Sequence, residues 1–138
     1  MSTRATVTVK EDGAVLARFY HHSDGYPSWL GRELAEFTQS GVFVNGLSVG
    51  GKELQFNGAG CYAAALIKHL KDGPGRVYMI ARTQVKEYNY IIDIDHPLPA
   101  ADAVTVFVSI KSSKKLVWRG TPLQLLEWIK TPEAAAWG

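Results

Sequence analysis

The feature that most constrains this 138-residue chain is a period of two. Tyr88, Tyr90, Ile92 and Ile94 recur at every second position, as do Val104, Val106, Val108 and Ile110. In an extended strand successive side chains point to opposite faces, so each set occupies one side. Clean alternation of this kind suits an antiparallel sheet covered by helices on one face. The chain also opens this way, with Thr3, Ala5, Val7 and Val9 interleaved by Arg4, Thr6, Thr8 and Lys10, and the pattern resumes over Val15–Tyr20. Between the two runs stands Asp12-Gly13, a pairing that predicts a tight hairpin.

The helices are read from a different period. Leu30, Leu34 and Phe37 fall at i, i+4 and i+7 with Arg32, Glu33 and Glu36 outward, which predicts an amphipathic helix ending near Gly41. Residues 41–57 hold Gly41, Gly46, Gly50 and Gly51 and read as loop with one short strand around Val42–Val44. A second helix follows Gly60, with Tyr62, Ala63, Leu66, Ile67 and Leu70 on one stripe, and stops at Asp72-Gly73-Pro74-Gly75. Strands are predicted over about Arg76–Thr83, Glu87–Asp95 and Ala103–Lys111, the last two separated by His96-Pro97-Leu98-Pro99. A short strand at Leu116–Trp118 precedes Thr121-Pro122-Leu123-Gln124, a capping box with proline at the first helical position. Strands segregate from helices, so the expected fold is α+β: a mostly antiparallel sheet of five or six strands with two or three helices packed on it. Residues 1–130 form a single domain; residues 131–138 lack a period and read as a C-terminal tail, with Trp137 as its one docking residue.

Composition limits the partners. The single cysteine excludes an internal disulfide framework, and no apolar run approaches the roughly 18 residues of a membrane span. Met1-Ser2-Thr3-Arg4 lacks the apolar core of a signal peptide, so a cytoplasmic location without membrane partners is expected. Net charge is +2, and the one contiguous cationic cluster is Lys111, Lys114, Lys115 and Arg119. That is a narrow footprint for a duplex, whose binding needs several phosphates neutralised at once, so no long nucleic acid is expected. A small anionic ligand is compatible, and a homo-oligomer is left open.

Three motifs stand in order and spacing over residues 2–95: Ser2-Thr3-Arg4, then Tyr20-His21-His22-Ser23-Asp24-Gly25-Tyr26-Pro27, then Phe56-Asn57-Gly58-Ala59-Gly60-Cys61. In these the chain resembles a family of small single-domain proteins of phage and bacterial genomes whose activity is largely unassigned. The resemblance implies a phage-linked origin, and with it the host cell cytoplasm. Phage proteins of this size often counter host defence by sequestering a nucleotide signal.

Read as chemistry, the first loop carries four ring side chains within nine residues: His21, His22, Tyr26 and Trp29. Rings offer faces for a flat ligand, while Asp24, Gly25 and Pro27 equally suit a tight turn into a helix. Asn57-Gly58-Ala59-Gly60 lets backbone approach closely at a helix start, where free N–H groups favour a phosphate. The Gly-Lys-Ser/Thr ending of a phosphate-binding P-loop is missing, and the turn equally serves helix packing. Cys61 is either a thiolate nucleophile with His21 or His22 as base, or a small buried hydrophobe. No closed metal-ligand spacing occurs, so no metal or other cofactor is expected.

The leading expectation is a small-ligand binding module that holds a cyclic nucleotide or similar phosphorylated signal without cleaving it. His22, Asp24, Tyr26, Trp29, Asn57, Gly58 and Gly60 would line one cavity, with Arg4, Arg18 or Arg82 assisting the phosphate. The alternatives are a cysteine-dependent hydrolase or transferase using Cys61, and a protein-blocking domain that uses its exposed aromatics.

Overall fold

The computed structural model describes residues 3–44, 54–96 and 104–138. Ser2 of the opening motif, the glycines at 46, 50 and 51, the Pro97–Pro99 connection and the predicted strand start at Ala103 lie outside the described residues. Strands β1 (Ala5–Glu11) and β2 (Ala14–His21) form the expected hairpin. Asp12 and Gly13 both take positive φ, 47° and 85°, the geometry that lets a two-residue turn follow the strand twist. After β2 the chain makes a π-helical turn at Pro27–Gly31 and continues as α1 (Arg32–Ser40). Strands β3 (Gly41–Val44) and β4 (Leu54–Asn57) pair in parallel as a separate two-stranded sheet. Helix α2 (Gly58–Leu70) starts three residues earlier than its apolar stripe suggests. Then come β5 (Val77–Met79), β6 (Tyr88–Asp95), β7 (Thr105–Ser112), β8 (Lys115–Gly120), α3 (Pro122–Trp128) and α4 (Pro132–Ala135).

The main sheet has six strands in the order β5-β2-β1-β6-β7-β8. Every pair is antiparallel except β1 with β6, which run parallel at the centre. The long excursion through α1, β3, β4 and α2 makes this pairing available, because it returns the chain to the sheet edge from which β1 began. The predicted strand at 76–83 is shorter than expected. Arg76 takes φ 67°, which no strand tolerates, and only Val77–Met79 pair with β2.

Alternation delivers the core. Ala5, Val7 and Val9 of β1, Phe19 of β2, Tyr90, Ile92 and Ile94 of β6, and Val108 and Ile110 of β7 are all completely buried on one face. Leu34 of α1, Leu66 of α2 and Leu125 of α3 close over them. Beside this layer sits an aromatic cluster, with Phe56 edge-on to Tyr62 at 5.0 Å and Phe43 at 5.2 Å from Phe56. Gly41 is required there, since a Cβ would stand 2.4 Å from the Phe56 ring. The Tyr62 hydroxyl is paired with Thr38 at 2.6 Å, and burial pushes its pKa up.

The capping box forms as predicted: Gln124 N–H donates to Thr121 Oγ1, and Thr121 N–H donates to Gln124 Oε1. The segment after it is folded. Ala134 of α4 is buried, Trp137 packs on the core, and Tyr88 Oη donates to the Trp137 carbonyl. Ser28 Oγ donates to the Gly138 carbonyl at 2.7 Å, tying this end to the π-helical turn.

Candidate functional site

The loop after β2 is anchored by its glycine. Gly25 N–H donates to the Thr3 carbonyl, and the Tyr90 hydroxyl, deep in the core, donates to the Gly25 carbonyl at 2.6 Å. A Cβ on Gly25 would lie 2.9 Å from that of Ala5, so the loop can lie this close to β1 only with glycine there. Gripped at Gly25, the loop turns Asp24 and Trp29 outward beside the last turn of α2.

Between them opens a cleft of about 560 Å³. One wall is His21, Asp24 and Trp29; the other is Lys68, His69 and Lys71 at the C-terminal end of α2, with Glu33, Asp72 and Arg76 at the margins. Among the described residues, four non-glycine residues have positive φ. Asp12 and Ser113 are in the β1–β2 and β7–β8 hairpin turns, where such angles belong. The other two, Asp24 (φ 55°) and Arg76 (φ 67°), both line the cleft and lie side by side, with Nη2 3.9 Å from Oδ2. His22 N–H donates to the Arg76 carbonyl at 2.8 Å, which holds the second of these strained residues in place. A left-handed arginine costs on the order of 1–3 kcal/mol, and strain of that size collects at binding sites.

His21 is only 5% exposed, and its Nδ1 is buried without a hydrogen-bond partner. Burial lowers its pKa below the ordinary 6.5, the nearby Ser23 backbone opposing this in part, so the ring is neutral at pH 7. Trp29 is 57% exposed, with the Arg32 guanidinium 5.8 Å from its ring centroid. His69 is stacked on Phe37 at 4.5 Å and pairs with Glu33 at 3.2 Å. Lys71 Nζ is committed to the carbonyls of Gly75 and Val77. Lys68 makes no ion pair among the described residues.

Of the residues singled out in the sequence, His21, Asp24 and Trp29 line this cleft and the others do not. His22 is exposed, with Nδ1 2.8 Å from the Tyr20 hydroxyl. Tyr26 is half-buried against Tyr88, and its ring is so close to Gly138 that a Cβ there would stand 2.4 Å away. It is therefore a packing residue, not a stacking face. Asn57, Gly58, Gly60 and Cys61 belong to the start of α2, whereas the cleft is built at its end, about 15–20 Å further along a 13-residue helix. The two motifs are thus not opposite walls of one cavity. Arg4 borders a separate shallow depression with Lys86 and Glu87, Arg18 lies on the opposite face of the sheet, and Arg82 is exposed between β5 and β6.

Cys61 is exposed rather than buried. The histidines are all placed elsewhere, at the cleft (His21, His69), against Tyr20 (His22) and against Glu11 (His96). No group of three or more metal-ligating side chains comes together among the described residues. The cleft residues missed in the sequence are Glu33, Lys68, His69, Lys71, Asp72 and Arg76. Their one signal was the basic last turn of α2 running into Asp72-Gly73-Pro74-Gly75-Arg76, which reads as ordinary helix termination.

Fold and site together define an α+β domain with a ligand-sized cleft between a ring-bearing loop and a helix C-terminus. No helix among the described residues is long and apolar enough to cross a membrane. No protein-family model matches the chain, and no curated protein or solved structure was found to be similar to it.

Proposed function

We propose that this protein is a binding module for a small phosphorylated ligand, such as a cyclic nucleotide, held in the cleft and not cleaved. One observation carries the reading. A largely exposed indole, a histidine ring and a lysine without an ion pair converge on one ligand-sized space. Trp29 offers a face on which a base stacks, a contact worth roughly 1–3 kcal/mol. The His21 imidazole forms part of the cleft wall, with its Nδ1 buried beneath the surface. Lys68 and Arg76 supply charge for the phosphate; the ligand draws Arg76 away from Asp24, a long contact at 3.9 Å. Arg4, Arg18, Arg82, Tyr26 and the amides near Gly58 and Gly60 have no part in this arrangement. Cys61 lies outside the cleft, which supports holding rather than turnover.

The test is incubation with a panel of cyclic and linear nucleotides, followed by heat release and chromatography. Recovery of one nucleotide intact is the expected result. Recovery of an altered nucleotide would replace the binding module with an enzyme, and no retention at all would remove the ligand.

A further inference from the structure

The helices cover one face of the sheet. On the other, Thr6, Asn89 and Ser109 are themselves buried, Asn89 Oδ1 accepting from the Lys86 N–H and Asn89 Nδ2 donating to the Lys86 and Ser113 carbonyls. Tyr78, at the β5 edge, is exposed. That face is organised in rows by the strand register. One row runs Tyr78, Tyr20, Thr6, Asn89, Lys111 across β5, β2, β1, β6 and β7. The next runs Arg18, Thr8, Ile91, Ser109, Arg119 across β2, β1, β6, β7 and β8. These two rows hold three cations and no carboxylate. The nearest acids on this face lie outside them: Glu87, which accepts from the Arg4 backbone N–H, and Asp93, which is bound to Arg119 at 3.1 Å. Lys10 adds a further cation in the row of Asp93. Lys10, Arg18 and Lys111 have no ion-pair partner among the described residues.

At the β5 end of the rows two tyrosines lie side by side. The rings of Tyr20 and Tyr78 are 6.0 Å apart and inclined by 31°, and Tyr78 is 51% exposed. Lys86 Nζ stands 5.5 Å from the Tyr20 ring, and Lys71 Nζ 5.5 Å from that of Tyr78.

We propose that this face binds single-stranded nucleic acid, with Tyr78 and Tyr20 stacking successive bases and Arg18, Lys111 and Lys86 following the phosphates. Aromatic rings at a sheet edge beside cations without ion-pair partners are an arrangement by which single strands are held without sequence preference. A duplex keeps its bases stacked and unavailable to the two rings. A second copy of this chain is disfavoured, because the facing surfaces would carry like charge. The surface escaped the sequence because its cations, from Lys10 to Arg119, are spread over most of the chain and only the strand register gathers them. It meets the cleft at Lys71, which lines the cleft and stands over the Tyr78 ring, while Tyr20, Arg18, Lys86 and Lys111 lie outside the cleft.

The experiment is fluorescence anisotropy with a labelled 20-nucleotide oligothymidylate and a labelled duplex hairpin, at 50 and 200 mM salt. The single strand should bind more tightly than the hairpin, and more weakly at the higher salt. Tyr78→Ala should weaken single-strand binding at least fivefold, and Arg18→Glu with Lys111→Glu should weaken it and flatten the salt dependence. Circular dichroism confirms that each variant is folded; Tyr78 is the safer ring to remove, being exposed at an edge strand. Trp29→Ala, in the cleft, should bind the oligothymidylate as wild type does. The proposal is overturned if the folded wild type ignores the single strand, prefers the hairpin, or loses nothing on Tyr78→Ala.

Discussion

His21 is the residue whose surroundings are least ordinary, since a ring nitrogen is buried with nothing to bond. Its folded pKa is lowered by burial, so the unfolded chain takes up the proton first as pH falls below 6.5. Unfolded chains then bind more protons than folded ones, and stability must rise with pH across that window. His21 therefore contributes stability above pH 6.5 that is lost progressively below it. Urea denaturation of wild type and His21→Gln between pH 5 and 7.5 should show a steeper acid loss in wild type; parallel curves would contradict the neutral, buried ring. Cys61 makes the opposite case. It is exposed and remote from the cleft, so Cys61→Ala should leave nucleotide retention unchanged and shift thermal stability by less than about 0.5 kcal/mol, the range of ordinary surface substitutions. Abolished function with an unaltered melting temperature would restore the thiol chemistry.

At the scale of elements, the cleft depends on how the 21–29 loop is held. The Tyr90 hydroxyl reaches from β6 to the Gly25 carbonyl, and burial raises the Tyr90 pKa well above the ordinary value, so it stays a donor throughout the physiological range. Tyr90→Phe leaves that carbonyl without its partner, at a cost of about 1–3 kcal/mol. It should lower the melting temperature and also raise amide exchange at residues 24–26; a lower melting temperature with unchanged exchange in the loop would show that the contact supports only the core. Elements of this kind were largely legible. Period two located β1, β2, β6 and β7, period 3.6 located α1 and α2, and Thr121-Pro122-Leu123-Gln124 capped α3 as written. Less legible was what no local period encodes. The parallel pairing of β1 with β6 is a choice of neighbour, not of conformation. Residues 131–138 have no apolar period because they dock through single contacts, the Trp137 carbonyl on Tyr88 and Gly138 on Tyr26.

For the whole molecule, the site was half visible. Its loop wall was conspicuous, because His21, Asp24 and Trp29 are chemically unusual and close in sequence. The opposite wall comes from residues some fifty positions away that look like the end of any helix, whereas the motif that stands out in the sequence, Asn57–Cys61, lies at the other end of α2 from this cleft. The central claim is that Trp29, His21 and Lys68 act together as one binding site. Its most direct test is calorimetric titration of the wild type, Trp29→Ala and Lys68→Glu with whichever nucleotide of the panel the wild type retains. Loss of the stacked ring should reduce affinity about five- to hundredfold, and charge reversal at Lys68 should reduce it further for phosphorylated ligands than for the parent nucleoside. Folded variants that both bind as tightly as wild type would contradict the account.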